Sequence, residues 1–183
     1  MKKSILIASM LLLGVLAAPA RAESDPVTLL LTGNPTSDSF RVSLSSDGRE
    51  YLIFSAAPLE AGGDLCAHLE GRPNELACKA PAISGFEVNA GGGADRVIFT
   101  SDIPVPVTVR CGPGGDRVSG GAAADKILGG PDHDVIFGRR GDDWLFGGSG
   151  DDGLLGGQGD DQLNGGPGED RLVGGPGQNM LLP

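Results

Sequence analysis

Residues 111–182 read CGPGGDRVS-GGAAADKIL-GGPDHDVIF-GRRGDDWLF-GGSGDDGLL-GGQGDDQLN-GGPGEDRLV-GGPGQNMLL, which is eight consecutive blocks of nine without a gap. Two columns of this alignment hardly vary. The sixth position is Asp116, Asp125, Asp134, Asp143, Asp152, Asp161, Asp170 and Asn179. The eighth position is Val118, Ile127, Ile136, Leu145, Leu154, Leu163, Leu172 and Leu181. A nine-residue repeat therefore governs this part of the chain.

Each block combines a turn with a short strand. Its first six residues are rich in Gly, Asp and Pro, and glycine reaches positive φ at no steric cost. Its last three residues have an apolar centre, whose side chain points to the face opposite its two neighbours. One such strand cannot bury its apolar side chain alone, so the repeats must stack into a solenoid.

This pattern resembles the G-G-x-G-x-D-x-U-x nonapeptide of the RTX, or hemolysin-type, calcium-binding repeat family. The resemblance implies an all-β fold, a right-handed parallel β-roll (solenoid) with two repeats per full turn. We expect a small irregular β cap at the N-terminal side of the roll.

The resemblance also implies a set of calcium ligands between turns that lie two repeats apart. Sixth-position carboxylates pair as Asp116 with Asp134, Asp125 with Asp143, Asp134 with Asp152, Asp143 with Asp161, and Asp152 with Asp170. Asp161 with Asn179 is a weaker sixth pair. Backbone carbonyls of the second and fourth positions complete the sites, for example Gly148, Gly150, Gly157, Gly159, Gly166 and Gly168. The pattern is degenerate at Ala123, Asp132 and Arg139, which makes the sites at those turns weaker predictions.

Calcium also fits the charges of the repeat. Stacked aspartates repel one another across neighbouring strands, and a divalent cation reverses that effect. Calcium accepts six to eight oxygen ligands from carboxylates and carbonyls. We expect about five or six ions, which would bring roughly ten to twelve positive charges.

The first 22 residues are typical of a secretory signal peptide. Lys2 and Lys3 precede an apolar run, and Ala20-Arg21-Ala22 fits the cleavage site. A transmembrane anchor is the alternative, although the run is shorter than the roughly 20 residues that a bilayer requires. Cleavage would leave 11 Lys and Arg against 24 Asp and Glu, a net charge of 11 minus 24, or −13. We expect a secreted, extracellular protein, which would cross the periplasm if the source has two membranes, and no nucleic-acid partner.

The remaining segments predict a graded entry into the roll. Residues 23–89 contain short strand patterns and a degenerate repeat, 33–41, with Asp38 and Phe40 in phase. Residues 90–110 contain a clearer outlying repeat with Asp95 and Val97, followed by a loop and a strand near residues 107–109. The domain prediction is thus 1–22 signal peptide, 23–89 cap, 90–110 connection and 111–182 eight-repeat roll. A chain that stops one residue after its last repeat also predicts end-to-end stacking, or loss of order near Asn179.

Three cysteines allow three pairings. An exported protein favours a disulfide, and Cys66 with Cys78 is the preferred pair because these residues bracket an irregular loop. Cys111 replaces a turn glycine of the first block, and we expect it to be free.

We expect no enzymatic activity and no catalytic residues. His133 occupies a variable fifth repeat position and His68 lies in the loop between Cys66 and Cys78, so we expect both histidines at the surface. Residues 148–153 match G-x-G-x-x-G only as a product of the repeat. An alternative function is an extracellular adhesion or assembly module, which would use an outward apolar or acidic face and self-associate or bind a cell-surface partner. The outward apolar residues are Val135, Phe137, Trp144, Phe146, Leu155, Val173, Met180 and Leu182. The competing interpretation is that the ninth-position side chains tuck under the next turn.

Overall fold

A computed structural model describes residues 3–8, 27–56 and 65–183. Within these ranges the fold is all-β, with a short 3₁₀ turn at Ala80–Ala82. No helix in the described ranges is long and apolar enough to cross a membrane. The predicted signal segment lies mostly outside these ranges, although its residues 3–8 form a strand that pairs with residues 27–32.

The strands form two sheets. Sheet 1 contains, in spatial order, β1 (Lys3–Ala8), β2 (Val27–Thr32), β7 (Ile83–Asn89), β9 (Val107–Arg110), β11 (Lys126–Pro131), β13 (Trp144–Ser149), β15 (Gln162–Asn164) and β17 (Met180–Leu182). Sheet 2 contains β16 (Arg171–Val173), β14 (Gly153–Gln158), β12 (Val135–Arg140), β10 (Arg117–Ser119), β8 (Arg96–Phe99), β3 (Ser39–Leu44), β4 (Glu50–Ser55), β6 (Arg72–Lys79) and β5 (Cys66–Leu69).

Successive repeats alternate between the two sheets, so each strand pairs in parallel with the strand two repeats away. Ile127 aligns with Leu145 in sheet 1, and Ile136 aligns with Leu154 in sheet 2. Both pairs are separated by eighteen residues, which is one full turn of two repeats. The predicted parallel β-roll is confirmed.

The eighth-position side chains form the core between the sheets. They are buried from Val118 to Leu163, whereas Leu172 is partly buried and Leu181 is 43% exposed. The same core continues into the N-terminal part, where the Tyr51 ring meets the Phe86 ring edge to face at 5.0 Å. One hydrophobic core therefore runs through the described chain.

The roll begins before the regular repeats. Strands β3 and β4 form an antiparallel hairpin, and β3 also pairs in parallel with β8. The degenerate repeat and the outlying repeat thus supply two further turns to sheet 2, through Phe40 aligned with Val97 and Val97 with Val118.

An inserted loop separates β8 from β9. Its residue Ile103 is fully buried, and its carbonyl accepts a hydrogen bond from the Ala122 backbone N–H at 2.8 Å. In the regular repeats, each glycine turn packs against the glycine turn two repeats earlier. At residues 120–125, the inserted loop takes the place of that earlier turn, and Ile103 makes the contact.

The cysteine pairing agrees with the prediction, whereas the segment between the two cysteines is a pair of strands and not an irregular loop. A disulfide joins Cys66 to Cys78 across the antiparallel pair β5 and β6. Cys111 is free and buried, and burial raises the pKa of its thiol.

Candidate metal centre

The glycine positions of each turn are set by backbone conformation and close approach. Gly148 and Gly150, at the second and fourth positions of one turn, have φ of 127° and 132°. A Cβ on Gly148 would also lie 2.7 Å from the carbonyl carbon of Gly130 in the preceding turn. Asp132 and Arg139 occupy such positions without being glycine and still adopt φ of 81° and 88°. Two of the three degenerate positions therefore keep the conformation of the repeat, at a cost of about 1–3 kcal/mol each.

Backbone hydrogen bonds join successive turns and use only some of the carbonyl groups of each turn as acceptors. The Gly148 N–H donates to the Gly165 carbonyl at 2.9 Å, and the Gly150 N–H donates to the Pro167 carbonyl at 3.0 Å. First- and third-position carbonyls are the acceptors of these bonds, whereas second- and fourth-position carbonyls are not. The predicted carbonyl ligands, Gly148, Gly150, Gly157, Gly159, Gly166 and Gly168, all belong to the latter group.

The sixth-position aspartates form two columns, one beside each sheet. Along each column, one carboxylate oxygen, Oδ1, accepts the backbone N–H of the aspartate one turn earlier. The Asp116 N–H donates to Asp134 Oδ1 at 2.8 Å, and the Asp143 N–H donates to Asp161 Oδ1 at 2.9 Å. The same bond joins every predicted pair: Asp125 with Asp143, Asp134 with Asp152, Asp152 with Asp170, and Asp161 with Asn179.

The second carboxylate oxygen, Oδ2, is buried without a hydrogen-bond partner in most of these aspartates. The atoms concerned are Oδ2 of Asp95, Asp116, Asp134, Asp143, Asp152, Asp161 and Asp170. An orphaned buried polar atom of this kind costs about 1–3 kcal/mol. The recurrence of this oxygen at one repeat position provides a regular series of buried oxygens that could ligate a cation.

Asn179 shows where the orphaned oxygen is directed. Its amide nitrogen donates to the Gly175 carbonyl, a second-position carbonyl of the same repeat, at 2.8 Å. An aspartate in the same place would set two oxygens against each other. A proton or a cation between them would relieve that repulsion.

Burial makes the charged form of these aspartates unfavourable. Desolvation, followed by repulsion from neighbouring carboxylates, raises the pKa of Asp134 to about 7 and that of Asp143 to about 8. Desolvation also raises the pKa of Asp95 to about 6 and raises those of Asp116, Asp152 and Asp161. Each column thus holds a charge that the protein alone does not balance.

Asp125 differs from the other predicted ligands. Its Oδ2 accepts the Gly121 backbone N–H at 2.7 Å, so this oxygen is already satisfied. The turn deviates because Ile103 packs against it: a Cβ on Gly121 would lie 2.9 Å from the Ile103 carbonyl. Degeneracy at Ala123 therefore marks a real departure from the repeat, unlike degeneracy at Asp132 and Arg139.

Sequence reasoning missed two contributors to this centre. Asp95, in the outlying repeat, has an orphaned Oδ2 and donates its N–H to Asp116 Oδ1 at 2.7 Å. Its signal was present in the intact glycines of residues 90–98. The first-position glycines are the second contributor. A Cβ on Gly156 would lie 2.7 Å from the Asp161 carboxyl carbon and collide with Oδ2, so this position must be glycine for the carboxylate to keep its place.

The donors suit a hard cation. Within the described ranges, no group of three or more His, Cys, Asp or Glu side chains gathers around one point, so side chains alone do not form a metal centre. Carboxylate and carbonyl oxygens from successive turns do supply ligands of the kind that calcium takes. The orphaned Oδ2 atoms fit this cation.

Comparison with known proteins agrees with this geometry. The family model described as RTX calcium-binding nonapeptide repeat (4 copies) matches residues 112–145, 128–163 and 146–181. No curated protein and no solved structure matches the chain.

Proposed function

Because residues 112–181 belong to the RTX calcium-binding nonapeptide repeat family, we propose that this chain is a secreted calcium-binding protein whose ions complete its fold. The observation that carries the proposal is the series of seven buried Oδ2 atoms without a partner. Calcium bound at these atoms would replace an unfavourable column of charge by a column of ligated ions.

The residues divide the work of binding. The Oδ1 atom of each aspartate is held by the amide of the preceding turn, as in Asp134 with Asp152 at 2.8 Å, which orients the carboxylate. Its Oδ2 atom and the second- and fourth-position carbonyls are then the ligands. Calcium supplies the positive charge that lets these oxygens approach one another.

The number of sites follows from the orphaned atoms. The pairs Asp116 with Asp134, Asp134 with Asp152, and Asp152 with Asp170 lie in one column, which Asp95 extends by one turn. In the other column, Asp143 with Asp161 forms a complete pair. Asp125 and Asn179 terminate that column, because each already has an internal partner. We therefore expect about five strong sites.

Folding on binding and secretion belong to the same proposal. The whole chain has a net charge of −10, and self-repulsion destabilises a compact state. The signal peptide predicted at residues 1–22 would direct the protein out of the cell. Extracellular calcium would then neutralise this charge.

Far-UV circular dichroism during a calcium titration of the chain from residue 23 tests this proposal, with magnesium as the control. We expect a cooperative gain of β signal with calcium alone, because magnesium prefers a stricter octahedral geometry and retains its water. A spectrum that is fully folded in chelator and unchanged by calcium would contradict it. Isothermal titration calorimetry then counts the ions.

A second candidate is an extracellular adhesion or assembly module in which calcium is purely structural. It is favoured by the outward face of sheet 1, where Trp144 is 46% and Phe146 is 36% exposed. Phe146, Leu155 and Val173 remain exposed, so tucking under the next turn does not describe these ninth positions. Loss of self-association in a Trp144→Ser, Phe146→Ser variant with unchanged calcium binding would support this candidate, and an unchanged oligomeric size would contradict it.

A further inference from the structure

Part of the outward face of sheet 2, on its six strands from β16 to β3, is cationic although the chain is acidic. Six neighbouring strands, from β3 to β16, each present two outward residues on this face. These residues are Ser39, Arg41, Arg96, Ile98, Arg117, Ser119, Val135, Phe137, Gly153, Leu155, Arg171 and Val173. They include four arginines and no acid, in a chain with 24 Asp and Glu.

Three arginines surround a groove in this face. Arg96, Arg117 and Arg139 line a cavity of about 330 Å³ whose floor includes Phe137 and Leu155. The Arg117 guanidinium lies 4.9 Å from the centre of the Phe137 ring, and Arg139 Nε donates to Ser119 Oγ. All three arginines are exposed, and none of them pairs with a carboxylate in the described part of the chain. The groove therefore carries three positive charges that no carboxylate of the described part of the chain neutralises.

The alignment of Arg96 with Arg117 indicates what kind of anionic partner would fit the groove. Arg96 and Arg117 are directly aligned on adjacent strands, so their backbones are about 4.8 Å apart. A partner that presents two anionic groups with a similar spacing would match both arginines.

The chain itself carries such a pair. Asp142 and Asp160, at fifth positions of successive turns, are exposed, and the Asp160 N–H donates to Asp142 Oδ1 at 2.8 Å. This bond holds the two carboxylates at the rise of the roll and leaves the Oδ2 atoms free of it. The residues at the flanking rungs, Ala124 and Gln178, are uncharged. The two arginines and the two acids therefore have similar backbone spacings, because both pairs lie on neighbouring rungs of the same roll.

We propose that the groove at Arg96 and Arg117 binds the Asp142–Asp160 pair of a second copy of this chain. The contact joins a sheet face of one copy to a turn edge of the next, so it is heterologous and leaves a free groove and a free acidic pair at the two ends. Repetition of such a contact builds an open-ended assembly. The proposal depends on the roll and not on the identity of the cation in its turns.

Sedimentation velocity in saturating calcium tests the proposal, with circular dichroism of each variant as an independent check of folding. We expect the sedimentation coefficient of the wild-type chain to rise with protein concentration and to fall with added salt. Asp142→Asn with Asp160→Asn should weaken this association about tenfold, since two exposed charge pairs are lost. Asp151→Asn with Glu169→Gln removes the equivalent acidic pair on the other edge of the roll, which the same kind of bond joins. We expect association to remain unchanged in this variant, and its loss would contradict the choice of the Asp142–Asp160 edge.

A charge exchange gives the sharper result. Arg96→Glu with Arg117→Glu, and Asp142→Arg with Asp160→Arg, should each abolish association alone, because like charges then meet. An equimolar mixture of these two variants should restore it. The proposal is overturned if the folded wild-type chain stays monomeric, if the mixture fails to associate, or if only Trp144→Ser with Phe146→Ser removes association. Calcium binding measured on the same samples separates each of these results from a failure of the proposed function.

Discussion

Replacing Asp143 by Asn should change stability in opposite directions in the absence and in the presence of calcium. Without calcium, the buried Oδ2 atom of Asp143 has no partner, which costs about 1–3 kcal/mol. An Asn side chain replaces this oxygen by an N–H donor, and Asn179 shows that such a donor reaches a second-position carbonyl at 2.8 Å. We therefore expect a gain of about 2 kcal/mol in the free energy of unfolding.

With calcium, the same replacement removes a ligand. A site at a calcium concentration about one hundred times its Kd contributes about 2.7 kcal/mol. Asp143 belongs to the predicted pairs with Asp125 and with Asp161, and the second of these is the stronger prediction. The net effect should be a loss of about 1–3 kcal/mol.

Urea denaturation followed by circular dichroism measures both effects. In chelator, an osmolyte that favours the compact state is added to extend the folded baseline. The pH is kept above the raised pKa of Asp143, about 8, so that its carboxylate is charged. Asp142→Asn is the matched control, because it removes the same charge one residue away from an exposed position. Destabilisation of Asp143→Asn in chelator as well as in calcium would refute the reasoning, since the orphaned oxygen would then carry no penalty.

Three further predictions concern the glycines, pH and the disulfide. Gly156→Ala should weaken calcium binding and folding, measured by titration, because its Cβ collides with the aspartate of its own repeat; Gly153→Ala, whose Cβ has room, is the control. The calcium-free fold should lose stability as pH rises from about 4 to about 8, because the folded-state pKa of Asp143 lies above its unfolded value; stability that rises over this range in urea titrations would contradict this sign. Reduction of Cys66–Cys78, which closes a short loop, should lower the free energy of unfolding by about 2–3 kcal/mol in the same assay.

The nine-residue period was sufficient to predict a stacked solenoid, and the β-roll was implied by the family resemblance. The period fixes which side chain enters the core, as with Ile127 and Leu145, and which aspartates stack. Two repeats per turn came from the family resemblance, and the pairing of residues eighteen apart confirms it.

The local chemistry of each turn was less predictable, because it depends on what the neighbouring turn contributes. Asp125 obeys the sequence pattern, yet Ile103 from an inserted loop changes its turn and gives its Oδ2 a partner. No periodic signal places Ile103 there. The cationic face of sheet 2 was also missed, because its arginines come from strands far apart in sequence and gather only when the rungs are stacked.

The bonds between successive aspartates give the roll a direction. In each bond, the amide belongs to the earlier turn and the carboxylate to the later one, from Asp38 with Asp95 through Asp152 with Asp170. The C-terminal end of a stack of such turns thus presents an amide donor, and the N-terminal end presents a carboxylate acceptor. A further turn, whether from the same chain or from another, therefore meets different hydrogen-bonding groups at the two ends of the roll.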